Sequence, residues 1–241
     1  MHFGLIGEKL GYSFSKDYFE TKFAKQNLAH SYSNFELESI EDFPEIMLKT
    51  PGLKGLNVTI PYKQKIIPYL DQIDPVAKII GAVNTIQFKD TKLIGHNTDV
   101  YGFEKSLDSF WNSNTKKALI LGTGGASMAI AYVLRKMNVS FQKVSRKPKE
   151  NELSYEEASE KLIEVSLIIN STPVGTFPEI ENQPPLSLER VTKKHHFYDL
   201  IYNPLESKLL SRAKSKGAKI KNGMEMLELQ ADKSWDLWNE F

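Results

Sequence analysis

Ala118–Leu121 is a short apolar run that ends in Gly122-Thr123-Gly124-Gly125-Ala126-Ser127 and passes into a helical pattern from about Ala126 to Met137. A strand that turns on glycines straight into a helix constrains this chain more than any other feature. A hairpin returns the chain antiparallel, whereas a strand–helix unit carries it over the sheet toward a parallel neighbour. Glycines let the backbone turn tightly and come close to a pyrophosphate, whose charge is favoured at the N-terminus of the following helix. Ser127 stands where a third glycine is usual and is small enough for close helix–strand packing. The alternative reading of the same glycines is a tight turn with no ligand.

The rest of the chain repeats the strand–helix alternation, which predicts an α/β protein with largely parallel sheets. Strands are expected at Phe3–Ile6, Tyr32–Leu37, Leu53–Ile60, Val139–Val144, Val165–Ile169, His196–Leu200 and Ala218–Ile220. Val83–Phe88 and Lys92–Gly95 flank Lys89-Asp90-Thr91 as a hairpin. Helices are expected from Ser15, acting as a cap, through Phe23, and after Pro44. Others should span Val100–Trp111, Tyr155–Ile163, Pro204–Lys216 and Met224–Asn239. With 31 basic and 30 acidic residues, the chain shows no bias toward nucleic acid or an anionic membrane surface. No cysteine is present, so disulfides, thiolate catalysis and cysteine-ligated metals are excluded. The N-terminus lacks a signal-peptide pattern and no run has the roughly 20 apolar residues of a membrane helix, so a cytoplasmic protein is expected.

The turn after the second strand of the glycine half bears on the choice of dinucleotide. An NAD-selective site usually has an acid there, about 20 residues past the first glycine, for the ribose hydroxyls. This chain has Ser145-Arg146-Lys147, with Lys149 beyond. Such cations favour a 2′-phosphate and therefore NADP(H); a solvated basic turn is the alternative.

Three segments of the first hundred residues are dense in small polar groups. In Tyr12-Ser13-Phe14-Ser15, alternate residues of an extended loop point the same way, so two hydroxyls can reach one carboxylate, unless Ser15 only caps a helix. In Asn57-Val58-Thr59-Ile60-Pro61-Tyr62-Lys63 a lysine follows a proline-ended strand at an expected helix start. A cation is disfavoured there and calls for a partner or a task. Gly81-Ala82-Val83-Asn84-Thr85 and Gly95-His96-Asn97-Thr98-Asp99 supply amides and one carboxylate. Asp99 either caps the next helix or pairs with Lys63 to orient a hydroxyl and move a proton.

These segments, together with Asn170-Ser171-Thr172-Pro173-Val174-Gly175, Asp199-Leu200-Ile201-Tyr202-Asn203-Pro204 and Asn222-Gly223-Met224-Glu225-Met226-Leu227 followed by Gln230, resemble the shikimate dehydrogenase family in chain order and over nearly the full length. The resemblance implies NADPH-dependent, reversible reduction of 3-dehydroshikimate to shikimate. It implies two domains: an N-terminal α/β substrate domain of residues 1–98 and 223–241, and a Rossmann-type doubly wound dinucleotide-binding domain of residues 99–222. The C-terminal helix would return to the first domain. Lys63 and Asp99 would be catalytic. Ser13, Ser15, Asn57, Thr59, Asn84, Tyr202 and Gln230 would bind substrate. Gly122, Gly124, Gly125, Ala126, Ser127, Ser145, Arg146, Lys147, Thr172, Val174, Ile201 and Gly223 would bind NADP(H), with no metal. The partners implied are the small-molecule substrate and cofactor, with neither nucleic acid nor membrane, and the chain would act as a monomer or homodimer.

Two departures from the family pattern stand out. Asn-Arg-Thr is common where this chain has Ser145-Arg146-Lys147, and the cofactor half is shortened around Pro148–Leu162. The rival readings are a quinate/shikimate dehydrogenase using NAD or NADP, and a non-catalytic metabolite-sensing module on the same fold. The first tends to carry an acid beside the basic residue, absent here. The second is expected to lose the proton-handling pair, yet Lys63 and Asp99 are both present.

Overall fold

A computed structural model of the chain describes residues 1–11, 13–112 and 114–240; Tyr12 of the serine segment, Ser113 and Phe241 lie outside the described residues. The chain divides into two units, Met1–Tyr101 with the segment from Gln230, and Gly102–Leu229.

The first unit contains β1 (His2–Gly7), α1 (Phe14–Lys25), β2 (Ser31–Glu36), α2 (Phe43–Lys49), β3 (Leu53–Val58), β4 (Gln72–Ile73), α3 (Pro75–Ile80), β5 (Thr85–Lys89), β6 (Lys92–His96) and the start of α4 (Asp99–Asp108). Its sheet runs β2-β1-β3-β5-β6-β4. β1 is parallel to β2 and β3, while β5 is antiparallel to β3 and β6. Residue alternation along β1 sends Phe3 and Leu5 into one apolar cluster and Ile6 into another, so both faces of the sheet are covered. Asp90 turns the β5–β6 hairpin with a left-handed φ of 56°, a conformation Asp tolerates through its short polar side chain.

The second unit contains β7 (Lys117–Leu121), α5 (Gly125–Lys136), β8 (Ser140–Val144), β9 (Glu152–Leu153), α6 (Tyr155–Glu160), β10 (Leu167–Asn170), β11 (His196–Asp199), α7 (Lys208–Ser215), β12 (Lys219–Lys221) and the first part of α8 (Met224–Asn239). Every strand pair is parallel, in the order β12-β11-β10-β7-β8-β9. Numbered within the unit this is the doubly wound dinucleotide-binding order, reversing direction between β7 and β10. Leu119, Ile168, Phe197 and Leu210 belong to an apolar cluster on one face of this sheet, and the alternate strand residues Ile120, Ile169 and Tyr198 are buried as well. From Gln230 onward α8 belongs to the first unit, where Ala231, Trp235 and Trp238 join the Phe3 cluster. Among the described residues no helix is long and apolar enough to cross a membrane.

Several local expectations change. α1 starts at Phe14 with Ser13 at its N-cap and no side-chain capping bond, so Ser15 lies within the first turn and is not a cap. Lys63 lies in a run of turns, not at a helix start; only a three-residue 3₁₀ turn, Ile67–Tyr69, follows. α7 begins at Lys208 instead of Pro204, because Ser207 accepts the Leu210 amide proton and sets the helix start there. The sequence reading passed over α3, although Asp74 caps it through Val76 and Ala77 and Gly81 ends it with a left-handed φ of 71°. The first sheet is mixed rather than largely parallel, since the hairpin enters its middle.

Trp238 locks α8 onto this sheet. Its indole stacks on Phe3 with centroids 4.9 Å apart and donates to the Ile86 carbonyl at 3.0 Å. The ring lies where a Cβ on Gly55 would stand, so only glycine fits there without moving it. Gly55→Ala is therefore expected to lower stability by about 1–3 kcal/mol through overpacking, read as a lower urea midpoint. An unchanged midpoint would contradict this account of the contact.

Candidate active site

In the first unit the polar residues singled out in the sequence converge. The Lys63 carbonyl accepts from the Val83 amide at 2.7 Å, and the Asn84 carbonyl from Val58 at 2.8 Å, which fixes the turn after β3 against the start of β5. Across that junction Lys63 Nζ donates to Asp99 Oδ2 at 2.7 Å. The other carboxylate oxygen, Oδ1, accepts from Asn84 Nδ2 at 2.9 Å. Asp99 is thus the first residue of α4 and the partner of Lys63. Their side chains keep 20% and 11% of their exposure, enough for a small ligand to reach an ion pair otherwise shielded from water.

The contacts continue inward. Asn84 Nδ2 lies 3.3 Å from Gln230 Oε1 and 3.0 Å from Thr98 Oγ1. Thr85, Thr98 and Ser234 form a triangle of hydroxyls with sides of 3.2, 2.8 and 3.2 Å. Asn57 Nδ2 donates to Thr85 and Ser234 at 3.2 and 3.0 Å, and its Oδ1 accepts from Tyr32 at 2.8 Å. Burial holds the Tyr32 hydroxyl well above the usual phenol range, an effect that the nearby Ser15 side chain partly offsets. One hydrogen-bonded path therefore runs from Tyr32 to Lys63 through buried groups. Ser13 Oγ is buried with no hydrogen-bond partner among the described residues. Thr59 hydrogen-bonds through its backbone to Ile6, and its methyl lies where a Cβ on Gly7 would stand; no contact of its hydroxyl places it on the path.

Four members of this path escaped the sequence reading as site residues. Thr85 and Thr98 stood inside the quoted motifs, and Ser234 lies four residues after Gln230, hence on the same helix face. Tyr32 carried no signal beyond its place in a strand.

In the second unit Val144, Leu121, Asn170 and Asp199, each the last residue of its strand, pair in register across the sheet. The loops that leave this edge carry most of the cofactor candidates, at the end of a doubly wound sheet where ligands bind. Gly122 has a φ of +106°, and a Cβ there would meet Ser171 and Thr172 at 2.9 Å, across the point where the strand order reverses. A Cβ on Gly124 or Gly125 would meet nothing within 4 Å. That open space at the start of the 12-residue α5 fits a pyrophosphate approached by backbone amides. Ala126 lies in the first turn of α5, and buried Ser127 closes the turn by donating to the Gly124 carbonyl at 2.6 Å. Ser145 accepts from the Lys147 amide at 3.2 Å, leaving the Arg146 and Lys147 side chains exposed to an anion.

Val174 N–H donates to Thr172 Oγ1 at 3.3 Å, and Gly223 N–H to the Ile201 carbonyl at 3.0 Å. A Cβ on Gly223 would collide with the Leu200 backbone, so packing alone demands this glycine. Tyr202 is half-buried, with its pKa raised by burial. Asp199 is fully buried, and its carboxyl is pushed up to about 6 by desolvation, which hydrogen bonds from Ser207, Ile201 N–H and Asn170 only partly offset.

Comparison with known proteins places the chain in a family. Residues 5–86 match the family model described as the shikimate dehydrogenase substrate binding domain. An NADP(+) shikimate dehydrogenase from Clostridium botulinum is 41% identical over 248 residues, covering 98% of this chain and 95% of the relative. The crystal structure of shikimate 5-dehydrogenase from Thermus thermophilus in complex with NADP(H) and shikimate is 29% identical. It has a TM-score of 0.87 and covers all of this chain and 94% of that one. The quinate dehydrogenase from Corynebacterium glutamicum in complex with NAD has a TM-score of 0.89 at 26% identity, with coverage of 100% and 94%. The shared architecture thus spans both substrates, and the higher sequence identity lies on the shikimate side.

The buried Asp199 carboxyl has a consequence for stability. Its pKa is higher in the folded chain, about 6, than the ordinary 3.8, so the native state holds this proton more tightly. The resulting stabilisation is fully present below about pH 4 and is lost as pH rises through 6. Asp199→Asn does not titrate and should gain stability relative to the parent across that window, by up to about 3 kcal/mol. Urea unfolding of both proteins from pH 4 to 7 checks this, and a constant difference would contradict it.

Proposed function

The chain belongs to the shikimate dehydrogenase family, and from that premise we propose how its residues divide the work of the reaction. The activity is the reversible NADPH-dependent reduction of 3-dehydroshikimate to shikimate. Residues 1–98 and 223–241 would form the substrate half and 99–222 the cofactor half, in a cytoplasmic monomer or homodimer. The observation that carries the catalytic reading is the Asp99 carboxylate, with one oxygen on Lys63 and the other on Asn84.

Ser13 and Ser15 offer two hydroxyls to the substrate carboxylate; the buried, unpartnered Ser13 Oγ supports this role. Asn57, Thr59, Asn84, Tyr202 and Gln230 hold the remaining ring substituents and carboxylate oxygens. Bound NADPH supplies the hydride that reduces the C3 carbonyl carbon. As the carbonyl bond is reduced, negative charge grows on the carbonyl oxygen at C3, and the Lys63 ammonium stabilises that charge and donates its proton to complete the hydroxyl. The amine is then reprotonated from solvent, so one hydride and one proton are consumed per turnover. Asp99 keeps the ammonium aimed.

The glycine turn Gly122, Gly124, Gly125, Ala126 and Ser127 would cradle the pyrophosphate, with Thr172, Val174, Ile201 and Gly223 near the nicotinamide half. Ser145, Arg146 and Lys147 would meet the 2′-phosphate end. Two exposed cations with no acid between them suit a phosphate and disfavour a bare ribose diol.

Lys63→Ala should lower kcat by about 100-fold or more while changing the KM for shikimate far less, the pattern of an interaction made mainly in the transition state. Steady-state kinetics in both directions checks this; an unchanged kcat would remove Lys63 from proton transfer.

A further inference from the structure

Asp199 is a fully buried carboxylate that the reaction does not use. It stands at the last position of β11, in register with Asn170 at the last position of β10. Asp199 Oδ1 accepts from Asn170 Nδ2 at 2.9 Å and from the Ile201 amide at 3.1 Å. Its Oδ2 accepts from Ser207 Oγ at 2.6 Å. Asn170 is equally buried, and its Oδ1 accepts from both the amide and the hydroxyl of Thr172, at 3.0 and 2.7 Å. The Thr172 hydroxyl then accepts from Val174 N–H at 3.3 Å. A single chain of hydrogen bonds thus runs from Ser207 through Asp199 and Asn170 to Val174.

None of the three donors to this carboxylate carries a charge. Burying a carboxylate without a cation is costly, and an apolar residue could fill the same volume more cheaply. What an acid offers here is acceptor capacity: two oxygens take three donors from three chain segments, which neither a hydroxyl nor an apolar side chain can do. Those segments are the end of β10, the loop after β11 and the cap of α7.

We propose that Asp199 is a positioning residue that ties the loops after β10 and β11 into one wall of the NADP(H) site, acting through Asn170 on Thr172 and Val174 and through its own loop on Ile201. This rests on the reading that Thr172, Val174 and Ile201 border the cofactor. Misplacing such groups by an ångström is enough to cost large factors in rate. The effect is confined to the nicotinamide half, because Arg146 and Lys147 leave the sheet from β8 and make no bond to this chain.

The test compares Asp199→Ala, Asp199→Asn, Asn170→Ala and the double alanine variant in the full-length protein. NADPH binding is followed by fluorescence titration, alongside steady-state kinetics. Asp199→Ala should raise the Kd and KM for NADPH about tenfold, with the KM for shikimate within about twofold and the NADPH-over-NADH preference unchanged. Asp199→Asn should restore most of this loss, its oxygen accepting from Asn170 and Ile201 while its amide donates to Ser207. The double variant should be no worse than the poorer single one, because both act through one chain. If Asp199→Ala does not fold, Ser207→Ala removes one bond of the set and should raise the NADPH KM a few-fold. NADPH binding equal to the parent in these variants, or additive losses in the double variant, would overturn the proposal. Thr172→Ala is the control for the underlying reading: unaltered NADPH binding there would show that the loop does not border the cofactor, whatever Asp199 does.

Discussion

The polar network of the first unit depends on the two carboxylate oxygens of Asp99. One fixes the ammonium of Lys63 and the other the amide of Asn84, so a charge and a neutral hydrogen-bond donor are oriented by the same carboxylate. Its place as the first residue of α4 suits an anion, since the helix N-terminus carries partial positive charge. Behind it the triangle of Thr85, Thr98 and Ser234 hydroxyls holds the Asn57 and Asn84 amides, each hydroxyl occupied by a neighbour. In a buried, low-dielectric setting such a satisfied network is stiff, and an unmade bond within it would be expensive. Under the proposed function, such a site would be organised before a substrate arrives, which is where electrostatic catalysis gains most.

The second unit solves a different problem with backbone. Four of its strands end in one row, and three of them are followed by Gly122, by Ser145 and Arg146, and by Ser171. Helix α5 brings amides to the open space at Gly124 and Gly125, while Arg146 and Lys147 add charge at the rim. Under the proposed function, close contact and helix amides would serve the pyrophosphate and the exposed cations would serve selectivity.

Much of this was legible in the sequence, for identifiable reasons. The strand–glycine–helix run showed a dinucleotide-binding α/β unit because its chemistry is local, and the resemblance supplied the doubly wound order. Asn84, Asp99 and Lys63 were nameable because they sit in compact polar motifs between apolar strands. What failed was tertiary in origin. Ser15 does not cap α1, since the helix starts at Phe14 with its N-cap two residues earlier, at Ser13, and Lys63 has no helix to oppose it. The two-residue strands β4 and β9 are too short to leave a period. Tyr32 and Ser234 join the site only through pairings across the sheet and from α8, and Asp199 gains its meaning from register with Asn170.

The most direct test is to mix the purified protein with 3-dehydroshikimate and follow the absorbance of the reduced nicotinamide, with NADPH and NADH in parallel. The account predicts oxidation of NADPH in step with shikimate formation, and a much slower reaction with NADH. No oxidation of either nucleotide would contradict the assignment of the reaction, and equal rates with the two would contradict the role given to Arg146 and Lys147.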